Sequence, residues 1–395
     1  MRILCATGYY KPAYVYGGPV KSVATLCEGL ARMGNQVTVF TTNANGPGRT
    51  LAVSSAQPQD VNGVRVFYYP ISRSLARIFP FCSPALGNAC AASVANYDIL
   101  YIPATWTYVM YAAARHAHRR GVPYIVSPRG SFMTWSMAQK ALKKRIYLEL
   151  VERRIVNAAA AIHCTSWLES EQLRRWGFRS KVAIIPNAIE AATFQEMPER
   201  GALRGKLAIP ASATVSLYVA RLHKMKRIDL LVEGFARVAR ETGNAHLVVV
   251  GPDEDGTGLS AQARVADLGL SARVHFLGLL TGHDLLQAYR DADLLTLLSH
   301  RENFGMAAVE AMAAGLPVLL TQEVGLAEEI TRAQAGYAVQ AQPDQVAEMW
   351  VQMLNAPELR HEMGLSGKAI VRQKFELSMV ASQMLKLFTD SVGGD

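Results

Sequence analysis

The chain has 395 residues, half of them hydrophobic, with 41 Lys+Arg, 32 Asp+Glu and a formal net charge of +9. That length calls for two or three domains, and no apolar run reaches the ~18 residues that span a bilayer. Five cysteines (Cys5, Cys27, Cys82, Cys90 and Cys164) lack metal-ligand spacing, which argues against a zinc module and fits reduced, buried thiols of a cytosolic protein. The charge is uneven: residues 1–190 hold 22 Lys+Arg and 8 Asp+Glu, whereas residues 191–395 hold 19 and 24. A basic first half points to a polyanionic partner. No Cys/His finger or aromatic sheet signature marks that partner as nucleic acid, so an anionic membrane or phosphorylated lipid is favoured.

The N-terminal run Met1-Arg2-Ile3-Leu4-Cys5 reads as a strand, 2–6, rather than a signal peptide. The loop after it carries Tyr9, Tyr10, Tyr14 and Tyr16 and ends in Gly17-Gly18, which opens a helix at 21–33. Glycines there let backbone approach a phosphate or sugar, although two glycines also make an ordinary turn. The Gly-x-Gly-x-x-Gly dinucleotide fingerprint is absent. Strands at 36–42, 64–69 and 99–102 follow, then Trp106, Tyr108 and a helix at 108–120. The strand 124–127 leads into Pro128-Arg129-Gly130. A helix at 142–156 pairs basic Lys140, Lys143, Lys144, Arg145, Arg153 and Arg154 with apolar Leu142, Ile146, Leu150 and Val151 at helical spacing. It is an amphipathic helix with a basic face, either solvated or laid on a membrane surface. Strands at 160–164 and 182–185 close the first half.

After Pro186-Asn187-Ala188-Ile189 the alternation restarts, with strands at 215–219, 246–250, 274–277, 294–298 and 318–321. Helices fall at 228–240, 308–314, 346–354, 359–373 and 377–388. Near-continuous apolar strands alternating with helices mean parallel sheets covered on both faces. The expected fold is α/β: two facing doubly wound domains, 1–188 and 189–375, with a helix at 376–390 packing back on the first. Ligands of such sheets bind at the carboxyl ends of the strands, so a cleft between the domains is the expected site.

Three features of the second half carry chemistry. Arg221 and Lys226 follow a strand end and suit a pyrophosphate. Glu302 ends the run after strand 294–298 and lies eight residues before Glu310, which sits inside an Ala-rich helix starting near Phe304 or Gly305. The amides of Gly305 and Met306 between the two carboxylates make an anion site. A nucleotide diphosphate-sugar has that layout of sugar hydroxyls, diphosphate and ribose hydroxyls; a capped helix with an early Glu has the same residues.

Gly17-Gly18, Arg221 with Lys226, and Glu302-Asn-Phe-Gly305 with Glu310 together resemble a retaining glycosyltransferase of family 4 with the GT-B architecture. The resemblance covers nearly the whole chain. It implies metal-independent sugar transfer from a nucleotide-sugar such as a UDP- or GDP-sugar, with no cofactor. By resemblance Arg221 and Lys226 hold the diphosphate, Glu302 contacts the sugar near the anomeric centre and Glu310 holds the ribose. Amides of Phe304, Gly305 and Met306 complete the donor site. Many relatives carry a His where Arg129 stands. A guanidinium is no general base at neutral pH, but it can orient a donor, hold a phosphate or bind an anionic acceptor. The Pro-Arg-Gly variant is similar to that of bacterial surface-polysaccharide transferases. A glycan or polyprenyl-diphosphate-linked acceptor at a cytoplasmic membrane face is therefore expected. Trp106, Tyr108, Trp135 and the loop Ile78-Phe-Pro-Phe81 are candidates to meet it. His116, His118 and His163 receive no catalytic role. The competing readings are a non-catalytic nucleotide-sugar-binding protein, a sugar-nucleotide epimerase and a phosphorylase. The first domain shows no acid/base loop motif for an epimerase, and no pyridoxal-phosphate lysine context marks a phosphorylase.

Overall fold

A computed structural model describes residues 1–54, 57–138 and 141–393. Lys140 and the side chains of Trp135 and Lys143 lie outside the described residues. The chain forms two compact units: Met1–Ala188 with Leu377–Asp395, and Ile189–Glu376.

The first unit holds β1 (Arg2–Ala6), β2 (Gln36–Thr42), β3 (Gln59–Val61), β4 (Val64–Tyr69), β5 (Ile99–Ile102), β6 (Tyr124–Val126), β7 (Ala161–Cys164) and β8 (Lys181–Ile184). They form one sheet in the order β3-β4-β2-β1-β5-β6-β7-β8. Every pairing is parallel except β3 with β4. The central strands are apolar on both faces because helices cover both: Ile99, Leu100, Tyr101 and Ile102 are all buried. One core lies under helices Gly18–Arg32 and Leu377–Gly393, the other under helix Tyr108–Arg120. The last helix returns to this unit through Leu377, Val380, Ala381, Met384, Leu387 and Phe388. Leu377 fills the space a side chain at Gly29 would need.

The second unit holds β9 (Thr214–Val219), β10 (Ala245–Val250), β11 (Val274–Gly278), β12 (Leu294–Leu297), β13 (Val318–Thr321) and β14 (Gly336–Val339). Its order is β11-β10-β9-β12-β13-β14, all parallel. The chain enters and leaves it side by side: Ile189 N–H donates to Phe375 O at 2.8 Å, and Ile189 bridges Glu376.

Several elements differ from expectation. The basic helix is not continuous: Ala141–Tyr147 and Arg153–Asn157 are α-helical, and a π-helical turn, Leu148–Glu152, separates them. Helices Pro84–Ser93, Trp167–Arg174, Thr257–Asp267 and Gly282–Asp291 have no counterpart in the sequence reading. All five cysteines are free and buried. Among the described residues no helix is long and apolar enough to cross a membrane.

Candidate functional site

The second sheet reverses its order between β9 and β12, so the loops leaving those strands diverge and open a crevice. Arg221 and Lys226 follow β9, and Glu302 follows β12. Lys226 Nζ donates to Glu302 Oε2, and the two side chains are 15% and 22% exposed. The loops are also tied through backbone, His300 N–H donating to Met225 O at 2.9 Å. Glu302 reaches a third loop, donating its N–H to Glu323 O (3.1 Å) and accepting from Gly325 N–H (2.8 Å). Arg221 Nη1 donates to both oxygens of Glu254, at 2.6 and 2.8 Å. Each cation at the reversal thus holds a carboxylate that a phosphate can displace, because a dianion offers the same oxygens with more charge.

Gly251, at the end of β10, meets a close backbone approach: a Cβ there would lie 1.8 Å from Ala220 O. Gly305 (φ 102°) caps helix Met306–Ala314, and a side chain on it would press on Val324. The first amides of that helix have no acceptor one turn back, which makes its start electropositive. Glu310 lies inside the helix, 6% exposed. Its Oε2 accepts from the Tyr289 hydroxyl at 2.8 Å. Burial, and then the Glu310 charge, push the Tyr289 hydroxyl pKa well up, so Tyr289 stays a donor that orients Glu310. Tyr289 was not singled out from sequence; its only signal is a Tyr on an apolar helix face, where a hydroxyl needs a buried partner. The Phe304 side chain is core, 3% exposed and edge-on to Phe375 with centroids 5.9 Å apart. Only its backbone is left to face a ligand. Met306 is partly exposed at the helix start.

The first sheet reverses between β1 and β5. After β1, Gly17 (φ 74°) caps the 15-residue helix that Gly18 begins. The four tyrosines of that loop split. Tyr10 is buried and Tyr14 exposed, while Tyr9 stacks on Tyr16 at 4.6 Å with Phe81 edge-on to both.

Arg129 follows β6 at φ 50°. Its Nη1 donates to Ser22 Oγ (2.9 Å) and Asn187 Oδ1 (3.0 Å), and its Nη2 to Tyr101 Oη (3.2 Å). Among the described residues no carboxylate pairs with it. Glu169, 3% exposed, instead holds the loop, accepting from Gly130 N–H (2.5 Å) and Thr165 N–H (2.7 Å). Tyr101 Oη passes to His163 Nδ1 at 3.0 Å, and His163 Nε2 meets Ile185 O at 2.7 Å. A carbonyl only accepts, so Nε2 carries the proton and Nδ1 accepts from Tyr101. Burial, then the Arg129 charge, pull the His163 pKa down to about 3, and the ring stays neutral.

After β5, Trp106 stands at φ 61° and donates its backbone N–H to Glu152 Oε1 at 2.6 Å. Its ring meets Phe132 and Tyr147 at 5.3 and 5.8 Å, and Lys144 Nζ lies 5.7 Å from its centroid. Lys144, expected on the basic face of an amphipathic helix, lies against Trp106, and it also donates to Ser136 O at 2.5 Å. Tyr108 is partly exposed, and its hydroxyl packs on helix Pro84–Ser93, 2.6 Å from where a Cβ on Gly87 would be. Glu152 is 1% exposed, and burial pushes its pKa up to about 8. The sequence hid it inside Glu-Arg-Arg, which reads as a solvated face.

Residues 199–369 match the family model of glycosyl transferases group 1, and residues 17–188 match a glycosyl transferase 4-like domain. The chain is thus built from two glycosyltransferase domains. Among similar proteins, an uncharacterized glycosyltransferase of Methanocaldococcus jannaschii is 26% identical, covering 98% of each chain. A D-inositol 3-phosphate glycosyltransferase of Kineococcus radiotolerans is 29% identical over 78% of this chain and 74% of its own. Among solved structures, Anabaena HepE in complex with UDP and glucose superposes with a TM-score of 0.77 at 19% identity, over 98% of this chain and 99% of HepE. The fold is that of GT-B proteins, two Rossmann-like domains.

Proposed function

We propose that the chain is a retaining glycosyltransferase moving a sugar from a UDP- or GDP-sugar to a glycan or polyprenyl-diphosphate-linked acceptor in surface-polysaccharide synthesis. The donor site is residues 189–375 and the acceptor site residues 1–188. The observation that carries this is the Lys226–Glu302 pair beside Arg221 at the β9/β12 reversal, with Glu310 inside the adjoining helix. HepE, solved with UDP and glucose, supports the donor class.

The diphosphate takes Lys226 and Arg221 from their carboxylates, and the first amides of helix Met306–Ala314 face the same charge. Glu302, released, turns to the sugar hydroxyls, and Glu310, braced by Tyr289, takes the ribose diol. Positive charge placed where the leaving group gains negative charge is worth most in the transition state. The bond from the anomeric carbon to the diphosphate oxygen breaks while the acceptor oxygen attacks on the same face. The acceptor's proton passes to the departing phosphate oxygen. The reaction is metal-independent in this reading, with Arg221, Lys226 and the helix end supplying the positive charge. Leu142, Ile146 and Leu150, exposed at 74%, 53% and 63% and spaced four apart, form an apolar stripe beside Arg145. That stripe supports peripheral contact with an anionic membrane on its cytoplasmic side.

A screen of UDP- and GDP-sugars by thermal shift, on wild type and Glu310→Ala, tests the donor site. One donor should stabilise wild type and lose that effect in the variant. If none stabilises wild type, the donor reading is wrong. NMR of the product's anomeric signal tests the stereochemistry, and an inverted product would exclude same-face attack.

A further inference from the structure

We propose that Glu152 is a positioning residue that fixes the Trp106 indole as the platform for a sugar ring of the acceptor. This rests on the reading that the first unit takes the acceptor.

Three irregularities meet at one place, the carboxyl end of β5 beside the sheet's reversal. Trp106 is a bulky residue at φ 61°, a conformation that persists only where surroundings enforce it. The group in contact with its backbone N–H is Glu152 Oε1. Glu152 ends the π-helical turn Leu148–Glu152, a distortion frequent at functional sites. The cluster is also chemically unfinished. Glu152 Oε2, Trp106 Nε1 and Thr105 Oγ1 are buried and have no hydrogen-bond partner among the described residues, and Thr105 and Glu152 are 6% and 1% exposed. A core serving stability alone would carry apolar groups here. A partly exposed indole with the Lys144 ammonium at its ring matches a sugar, which sets its C–H face on an aromatic ring and gives its hydroxyls to polar groups around it.

Among the described residues the ionisable groups around the carboxyl are Tyr147 on its own helix, Tyr111 facing Tyr147 from helix Tyr108–Arg120, and Lys144 over the indole. Burial pushes the Tyr147 hydroxyl up, away from neutral pH, so the comparison of wild type with Glu152→Gln assigns a transition near pH 8 to Glu152.

The test titrates tryptophan fluorescence of the full chain with methyl glucoside and maltose, and monitors UDP binding separately by thermal shift. Wild type should respond to saccharide, and Trp106→Phe should remove that response. Glu152→Ala should weaken saccharide binding at least tenfold while the UDP shift is kept. Glu152→Gln keeps an oxygen for the Trp106 N–H and should keep the response. Wild-type indole emission should show a transition near pH 8, and Glu152→Gln should abolish it. Unchanged saccharide affinity in Glu152→Ala would overturn the proposal. So would a wild-type response that survives in Trp106→Phe, a wild type with no response, or a pH transition that survives in Glu152→Gln. Loss of the UDP response in wild type would instead strike the donor reading. Should Glu152→Ala not fold, the Gln variant and its pH profile decide alone.

Discussion

The two sheets reverse their strand order in the same way, yet the loops at the two reversals are held by opposite means. At β9/β12 they are joined by charges: Lys226 to Glu302 and Arg221 to Glu254. At β1/β5 and the neighbouring β6 loop they are joined by rings and buried groups: Tyr9 on Tyr16, Trp106 on Glu152, and Arg129 through Tyr101 to His163. Ion pairs that are partly exposed exchange partners at little cost. Buried polar contacts do not, because breaking one strands its partner. The second unit is therefore suited to trade its carboxylates for a charged ligand, and the first to present a fixed surface.

The sharpest way to break this comparison is at Lys226. Lys226→Ala should lower kcat by ~10²–10³-fold, the effect of removing one stabiliser of developing charge, in a nucleotide-sugar turnover assay, with little loss of stability. An unfolded variant would mean that the pair is structural, like those of the first unit. Next comes the pH dependence of unfolding. His163 is neutral when folded and titrates near 6.5 when unfolded, so its contribution to stability is lost as pH falls from about 6.5 towards 3. Glu152 is raised instead, so its contribution is lost as pH rises from about 4.5 to about 8. Each slope is at most ~1.4 kcal/mol per pH unit. Where the windows overlap the slopes cancel, so stability is flat from about pH 4.5 to 6.5 and falls on both sides. Denaturant unfolding of Glu152→Gln should remove the alkaline limb and leave the acid one. A limb unchanged in that variant would show the carboxyl to be ionised in the fold.

Leu142→Ser, Ile146→Ser and Leu150→Ser together should weaken binding to anionic vesicles by on the order of tenfold or more, from the apolar area lost. The melting temperature should hardly move, since these side chains are exposed. The smallest effect belongs to Glu254→Gln, which frees Arg221. Nucleotide affinity measured by calorimetry should rise about two- to fivefold, the worth of one exposed ion pair. A fall would mean that Glu254 positions Arg221 instead of occupying it.

What the sequence discloses follows from where each residue's partner lies. Strands such as Ile99–Ile102 are legible because burial on both faces makes them apolar throughout. The edge strand Gln59–Val61 is polar and partly exposed, so it carries no such run. Helix Thr257–Asp267 escapes for a related reason, since few of its residues are buried. Residue types around Arg221, Lys226 and Glu302 point to phosphate and sugar chemistry, but their pairing joins positions 76 apart, which local spacing does not encode. The π-helical turn is invisible too. Leu148-Glu-Leu-Val-Glu152 has the composition of any α-helical turn, and the inward aim of Glu152 depends on a tryptophan 46 residues away.

The second unit leaves and rejoins the first at adjacent residues, Ile189 and Glu376. On the ribosome this sets an order of events. The face of the first sheet that receives Leu377, Met384 and Phe388 stays uncovered until the whole of Ile189–Glu376 has been made. A released chain truncated before Leu377 would hold a first unit still showing bare apolar surface, the state in which chaperones would find it.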